Sequence, residues 1–222
     1  MRRRSLHCVR LLLSLSVLLV AAVATPGCRT ALTTAAYLIK GTDVDAEFNG
    51  LRDKKTIVVC RPATSLSYRD PGVSGDLARQ LSILLRDNVR KAVVVDQQKV
   101  SQWADMNQWS EYPEVGKAMN SDMVVGIDLL DFSLYEGQTV YQGHATVALR
   151  VYDCTTETPE LVFEKELPEV VYPPNAPIET TSRSESEFRR KFLRVLADHV
   201  GRHFYAHDAY ADYALDATAL DR

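Results

Sequence analysis

Apolar positions follow three spacings along this chain, and each spacing predicts a different element. Thr56-Ile57-Val58-Val59-Cys60 is a compact β-branched run stopped by Arg61-Pro62, the signature of a buried strand. Val73, Leu77, Leu81, Leu84, Leu85 and Val89 recur at helical spacing and predict an amphipathic helix over 73–90. Ser65 to Gly72, closing with Arg69-Asp70-Pro71-Gly72, has the chemistry of a turn-rich loop. Ala92–Val95 is a second short strand. Asp96 is placed to cap a helix over 97–108 with Val100, Trp103 and Met106 inward, and Pro113 suits the first turn of a helix over 113–119.

Further along, the period becomes two. Asp122–Glu136 reads as a long third strand, with Met123–Ile127 at its centre. Gly137-Gln138 turns the chain, and Tyr141–Cys154 returns with His144, Thr146, Ala148 and Arg150 alternating against Ala145, Val147, Leu149 and Val151. A turn over Thr155–Pro159 leads to a fifth strand, Leu161–Val171. Tyr172-Pro173-Pro174-Asn175-Ala176-Pro177 breaks regular structure. Ser184 and Glu187 then form a capping box before a last helix reaching Tyr205.

The predicted order is β-α-β-α-α-β-β-β-α, an α/β fold of the α+β kind with one mixed five-stranded sheet and helices packed on it. Helical crossovers imply a parallel start and tight turns an antiparallel finish, with spatial order 2-1-3-4-5. The domain spans 54–205, with a tether over 28–53, a short helix near Ala31–Leu38 within it, and a C-terminal tail over 206–222.

Residues 1–27 do not belong to that domain. Arg2, Arg3, Arg4 and Arg10 precede an apolar run from Leu11 to Ala24, and Thr25-Pro26-Gly27-Cys28 follows. A cationic start and a short apolar middle make a secretory signal. The run is too short for a bilayer core of about 30 Å, which takes roughly 20 residues. Gly27-Cys28 resembles the lipobox of bacterial lipoproteins, which makes Cys28 the lipidated (palmitate-bearing) residue. The competing reading is ordinary cleavage after Ala22-Val23-Ala24, releasing a chain that begins at Thr25.

Charge and cysteines narrow the function. The signal holds four of the 26 basic residues and none of the 29 acids, so the mature chain carries 22 − 29 = −7. That argues against nucleic acid as a partner. Cys8 lies in the signal. Cys60 and Cys154 lie in no zinc-type spacing, and the topology puts them at opposite ends and edges of the sheet as unpaired strand cysteines.

Three groupings suggest chemistry. His199, His203 and His207 fall at i, i+4, i+8 on the predicted last helix, in line with Phe188, Phe192 and Leu196. Two could chelate zinc, but the outer pair would stand roughly 12 Å apart. They read as half-buried histidines covering the sheet. Asp122, Asp128 and Asp131 read as solvated strand residues, with 128 and 131 on opposite faces and so unable to act as an acid–base pair. No nucleophile elbow or phosphate loop is present; Gly72 and Gly75 mark a turn and a helix start. Trp109 and Tyr112 sit at a connection between two short helices. With Tyr210 and Tyr213 of the tail they are the candidate partner-binding residues.

The helix bearing Asp76-Leu77-Ala78, the strand start Ser121-Asp122-Met123-Val124-Val125-Gly126 and the strand end Arg150-Val151-Tyr152-Asp153 resemble the α/β domain of the TolB amino-terminal region and of envelope lipoproteins such as CsgG and LpoB. The likeness covers about residues 54–205. It implies a non-enzymatic envelope lipoprotein on the periplasmic side of a membrane, binding other envelope proteins or further copies of itself. The chain's own residues and charge call for no metal, cofactor or nucleic acid. CsgG-like pores carry additional membrane-inserting hairpins, for which this chain has no spare alternating segment. An auxiliary lipoprotein of a transport complex is the alternative, and a metal-dependent hydrolase built on the histidine stripe is a more distant one.

Overall fold

The computed structural model describes residues 43–209, of which 44–209 belong to one compact unit. The signal segment, Cys28, the short helix near 31–38, Tyr210 and Tyr213 lie outside the described residues. The strands of the main sheet are β1 Lys55–Pro62, β2 Val93–Val94, β3 Met123–Glu136, β4 Val140–Asp153, β5 Glu160–Glu166, β6 Val170–Tyr172 and β7 Ile178–Glu179. The helices are α1 Thr64–Arg69, α2 Val73–Asn88, α3 Gln97–Met106, α4 Tyr112–Ala118 and α5 Glu185–Gly201.

The sheet order is β2-β1-β3-β4-β5, as the crossover argument requires. β1 pairs parallel with β2 and β3, and β3 pairs antiparallel with β4. The sheet has seven strands where five were expected. β4, 14 residues long, is paired on its far side by β5, β6 and β7 in succession. The reason is local. Leu167 still donates to the Val147 carbonyl at 3.0 Å, but Pro168 has no N–H to continue the ladder, so pairing resumes only at Val170. The predicted fifth strand is thus β5 and β6 with a break between them.

Two layers close the sheet. On one face α2 and α5 bury Leu77, Leu81, Leu85, Phe188, Phe192 and Leu196 against the inward side of β1, β3 and β4. Rings fill its middle: Phe132 stacks on Phe192 at 5.3 Å and Tyr141 on Phe188 at 4.9 Å. On the other face α3 and α4 cover only the parallel half, over Ile57, Val59 and Val124. Covered on both sides, the first seven residues of β3 are all buried, and apart from Asp128 that stretch reads as an apolar run rather than an alternation.

Four expectations need correcting. Met106, expected inward, ends α3 and is 76% exposed, while Val100 is the apolar residue that helix buries. The loop expected over 65–72 contains α1, a helix of 6 residues with no side-chain cap, pinned by the fully buried Leu66 and by Arg69, which donates to the Phe132 carbonyl. The turn itself is confined to Asp70–Gly72, where Gly72 takes φ 84°. The last helix stops at Gly201, four residues before Tyr205. Tyr205 turns back so that its hydroxyl donates to Asp198 at 3.2 Å, and Phe204 enters the core. Cys60 and Cys154 are both free, but their separation runs along the strands rather than between sheet edges, since only β3 lies between β1 and β4.

Residues 44–54 lie against the domain. Leu51 is fully buried, and Phe48 packs on Phe163 at 5.4 Å and donates its amide to the His203 carbonyl at 2.9 Å. The Glu47 carboxylate takes Lys165 at 2.6 Å and the His203 ring at 3.1 Å.

Close packing gives the fold a sharp test. A Cβ built at Gly143 would stand 2.5 Å from the buried Phe192 ring. Gly143→Ala is therefore expected to cost about 1–3 kcal/mol through overpacking, read as a lower urea midpoint with unchanged slope.

Candidate functional site

The strand pairing sets the site's geometry before any side chain is considered. Arg61 and Asp128 stand opposite each other in the β1–β3 register, and Arg150 of β4 lies opposite Gly126, two residues before Asp128. All three point to the face where α3 and α4 sit. Gly126 leaves room for the Tyr112 ring of α4, because a Cβ there would lie 2.7 Å from it. α4 itself is fixed by a capping box between Glu111 and Glu114 and by Pro113 in its first turn.

These pieces close into one network. The Tyr112 hydroxyl donates to Asp128 Oδ1 at 2.8 Å, and Arg61 reaches the same oxygen at 2.9 and 3.0 Å. Arg150 donates to Asp128 Oδ2 and, through Nε, to Glu164 at 2.8 Å. Arg61 also donates to the Ser110 carbonyl at 2.9 Å, and its guanidinium lies 4.9 Å over the Tyr112 ring. Burial, and then the neighbouring Asp128 charge, push the Tyr112 phenol well above its ordinary value. Tyr112 therefore stays a proton donor. Both carboxylate oxygens are occupied, so Asp128 is engaged as a structural anchor.

Asp128 corrects the sequence reading twice. It is 8% exposed rather than solvated. It also shares a face with Asp131, because a register shift at Leu130 lets Asp128 pair with Ala148 and Asp131 with Thr146. The two still do not cooperate: Asp131 is exposed and meets Arg69 at 3.5 Å. Asp122 accepts the Lys55 amide at 2.8 Å and helps start the sheet.

The partner-binding candidates separate. Tyr112, at 1% exposure, is core and does not present its ring to a partner. Trp109 is half-buried, with its ring 5.8 Å from Tyr112. It borders a cleft of about 450 Å3 at the end of β1, lined also by Arg61, Gly72, Gln97, Ser101 and Asp105. A cleft beyond the carboxyl end of parallel strands, where crossovers leave in opposite directions, is the usual ligand position in such sheets. The network is what sequence reasoning missed. Its only signal was two charged residues, Arg61 and Asp128, breaking otherwise apolar strands.

The histidines are brought together differently from the predicted stripe. His199 is on α5, whereas His203 and His207 follow the helix end, and all three line one surface pocket with Glu47 and Lys165. Among the described residues no group of three His, Cys, Asp or Glu side chains is arranged to hold a metal. Burial raises the pKa of both Cys60 and Cys154, which weakens either thiol as a nucleophile.

No protein-family model matches the chain, and no curated protein matches its sequence. Several solved structures are distantly similar. PelC from Paraburkholderia phytofirmans, solved as a dodecamer, is 12% identical with a TM-score of 0.44, over 73% of this chain and 96% of that one. Lipoprotein GNA1162 from Neisseria meningitidis is 9% identical with a TM-score of 0.41, over 66% and 97%. Hypothetical protein CT253 from Chlamydia trachomatis is 13% identical with a TM-score of 0.38, over 68% and 97%. At these scores none of them indicates what this chain does.

Removing the shared acceptor should be costly. Asp128→Asn is expected to lose about 2–3 kcal/mol in urea unfolding, less than a fully buried pair because Arg61 and Arg150 keep 41% and 34% side-chain exposure. Tyr112→Phe, which removes one hydrogen bond, should lose about 1 kcal/mol. Equal losses would mean that Asp128 is not the common anchor.

His203 gives a pH dependence. Burial first, then the Lys165 charge, hold its pKa below the ordinary 6.5 against the opposing pull of Glu47. The unfolded chain thus takes up the proton first as pH falls. The stability held by neutral His203 is fully present above pH 6.5 and is lost as pH drops from 6.5 toward the folded value. The melting temperature should decline across that window, and His203→Gln should flatten the decline.

Proposed function

We propose that this chain is a lipid-anchored component of a bacterial envelope, on the periplasmic side of a membrane, that binds or assembles other proteins without catalysing a reaction. The observation that carries the reading is the arginine-led apolar run ending at Gly27-Cys28. Cys28 holds the lipid, the chain after it sets reach, and the domain recruits. Among the described residues no helix is long and apolar enough to cross a membrane.

The recruiting surface is the cleft bordered by Trp109. Arg61 bonds the carbonyl of Ser110, next to Trp109, and Arg61 is itself held by Asp128. A large ring on a fixed backbone loses little conformational freedom on binding, which suits it to anchor a partner. The Asp128 carboxylate and the Tyr112 phenol, the site's acid–base groups, are engaged with each other and with arginine. That favours a platform over a reaction centre.

The test is cross-linking in intact cells, followed by affinity capture from membranes, with acyl labelling of the same samples. Expected are palmitate incorporation abolished by Cys28→Ser, and one stoichiometric envelope partner, or a defined assembly of the chain with itself, reduced about tenfold or more by Trp109→Ala. A permease as that partner would select the transport-auxiliary version. An unlabelled monomer released without detergent would overturn the reading.

A further inference from the structure

α2 and α5 together hold six arginines and lysines against five acids, and the positive side chains concentrate where the two helices meet. Where the two helices lie side by side they leave a groove of about 330 Å3, lined by Arg79, Arg189 and Arg190 with Gln80, Ser186 and a single acid, Asp76. Asp76 meets Arg79 at 3.3 Å and Arg189 at 3.5 Å, so one carboxylate serves two guanidiniums. Arg190 is exposed and forms no ion pair among the described residues. The groove thus holds 3 − 1 = 2 uncompensated positive charges on a mature chain of −7. Arg86 and Arg194, both exposed, extend the same two helices, against the exposed Asp87 of α2 and Glu185 and Glu187 in the first turn of α5. Ile83, 40% exposed, stands one turn from both Arg79 and Arg86.

We propose that this groove receives the phosphate of anionic phospholipids, so that the domain rests on the membrane with its α2–α5 layer. Planar guanidiniums converging on one hollow match phosphate oxygens bidentately. An apolar side chain among arginines suits the headgroup boundary, where it leaves water while the charges stay at the phosphates. Chain length makes the contact possible. Cys28 precedes the domain's first residue, Val44, by sixteen positions (44 − 28), at most roughly 55 Å of extended chain. α2, with 16 residues, is about 24 Å long. A domain anchored at Cys28 is thus held within reach of headgroups at high effective concentration, where two weak attachments reinforce each other. The inference rests on the lipid-anchor reading for its choice of a membrane over other phosphates.

The measurement uses residues 29–222, which lack the acyl acceptor and keep the whole core, since no residue before Phe48 packs into it. Partitioning is read by sedimentation with vesicles of phosphatidylcholine alone or with one third phosphatidylglycerol. Expected is binding only to the anionic vesicles, weakened by added salt. It should fall about tenfold or more in Arg79→Gln/Arg190→Gln, at about fivefold per charge, and little in Arg52→Gln/Lys99→Gln, which removes the same charge elsewhere. Equal losses in the two double variants, or no binding to either vesicle, overturns the proposal; the second outcome leaves the groove to an acidic protein partner. Saturation by glycerol phosphate in solution, without vesicle binding, overturns it in favour of a free phosphate compound. Because no lipid is attached in this assay, its failure is independent of acyl labelling at Cys28, which tests the anchor.

Discussion

One carboxylate decides how the two halves of the sheet are joined. Asp128 sits where parallel pairing on one side of β3 gives way to antiparallel pairing on the other, and it takes a guanidinium from each neighbour, Arg61 of β1 and Arg150 of β4. Burying a carboxylate is expensive unless its charge and lone pairs are matched. Here the match requires all three strands in one register. A slip of one residue in β1 would carry Arg61 to the face packed by α2 and α5, among Leu77, Leu81 and Phe192, and would strip Asp128 of a partner. Apolar packing supplies most of the driving force for this domain. The charged cluster makes one register far better than the next.

The same cluster links fold to surface. α3 and α4 cover only part of their face, so the cover must end somewhere over the sheet. It ends at Tyr112, whose ring fills the hollow over Gly126 and whose hydroxyl finishes the carboxylate's coordination. Arg61 then passes the constraint outward to the Ser110 carbonyl, beside Trp109. The cleft at the end of β1 therefore inherits its rigidity from the strand register rather than from its own loop.

What the sequence disclosed followed from periodicity and caps. The α2 stripe, the long hairpin of β3 and β4, the strand order, and the caps at Asp96 and Ser184 were all legible, because each depends on residues close in sequence. The failures share a physical origin in contacts between distant residues. α1 has too few inward side chains to show a period, and only docking of Leu66 and Arg69 makes it a helix. The histidine stripe dissolved because Phe204 and Tyr205 gain more by turning into the core than by extending α5. Tyr112 carried the composition of an exposed connection, yet Gly126, fourteen residues on, had already made room for it. The opposite-face argument for Asp128 and Asp131 assumed an unbroken strand, and the irregularity at Leu130 reversed it.

The sheet edges restrict how this domain can meet anything else. β2 is only two residues long, too short to template another strand. β5 displays Glu160, Glu164 and Glu166 and breaks register against β4 between Val151 and Tyr152. Like charges and irregular pairing are what keep an edge from recruiting further strands. Edge-to-edge strand addition is thereby disfavoured, which leaves the helical layers, the cleft and the uncovered face of the antiparallel half as surfaces for contact. The arginine groove lies in the α2–α5 layer, while Trp109 stands with α3 and α4, which pack on the opposite face of the sheet. A domain seated on headgroups through the first layer would hold the Trp109 side free for a protein, and neither contact would require the sheet to open.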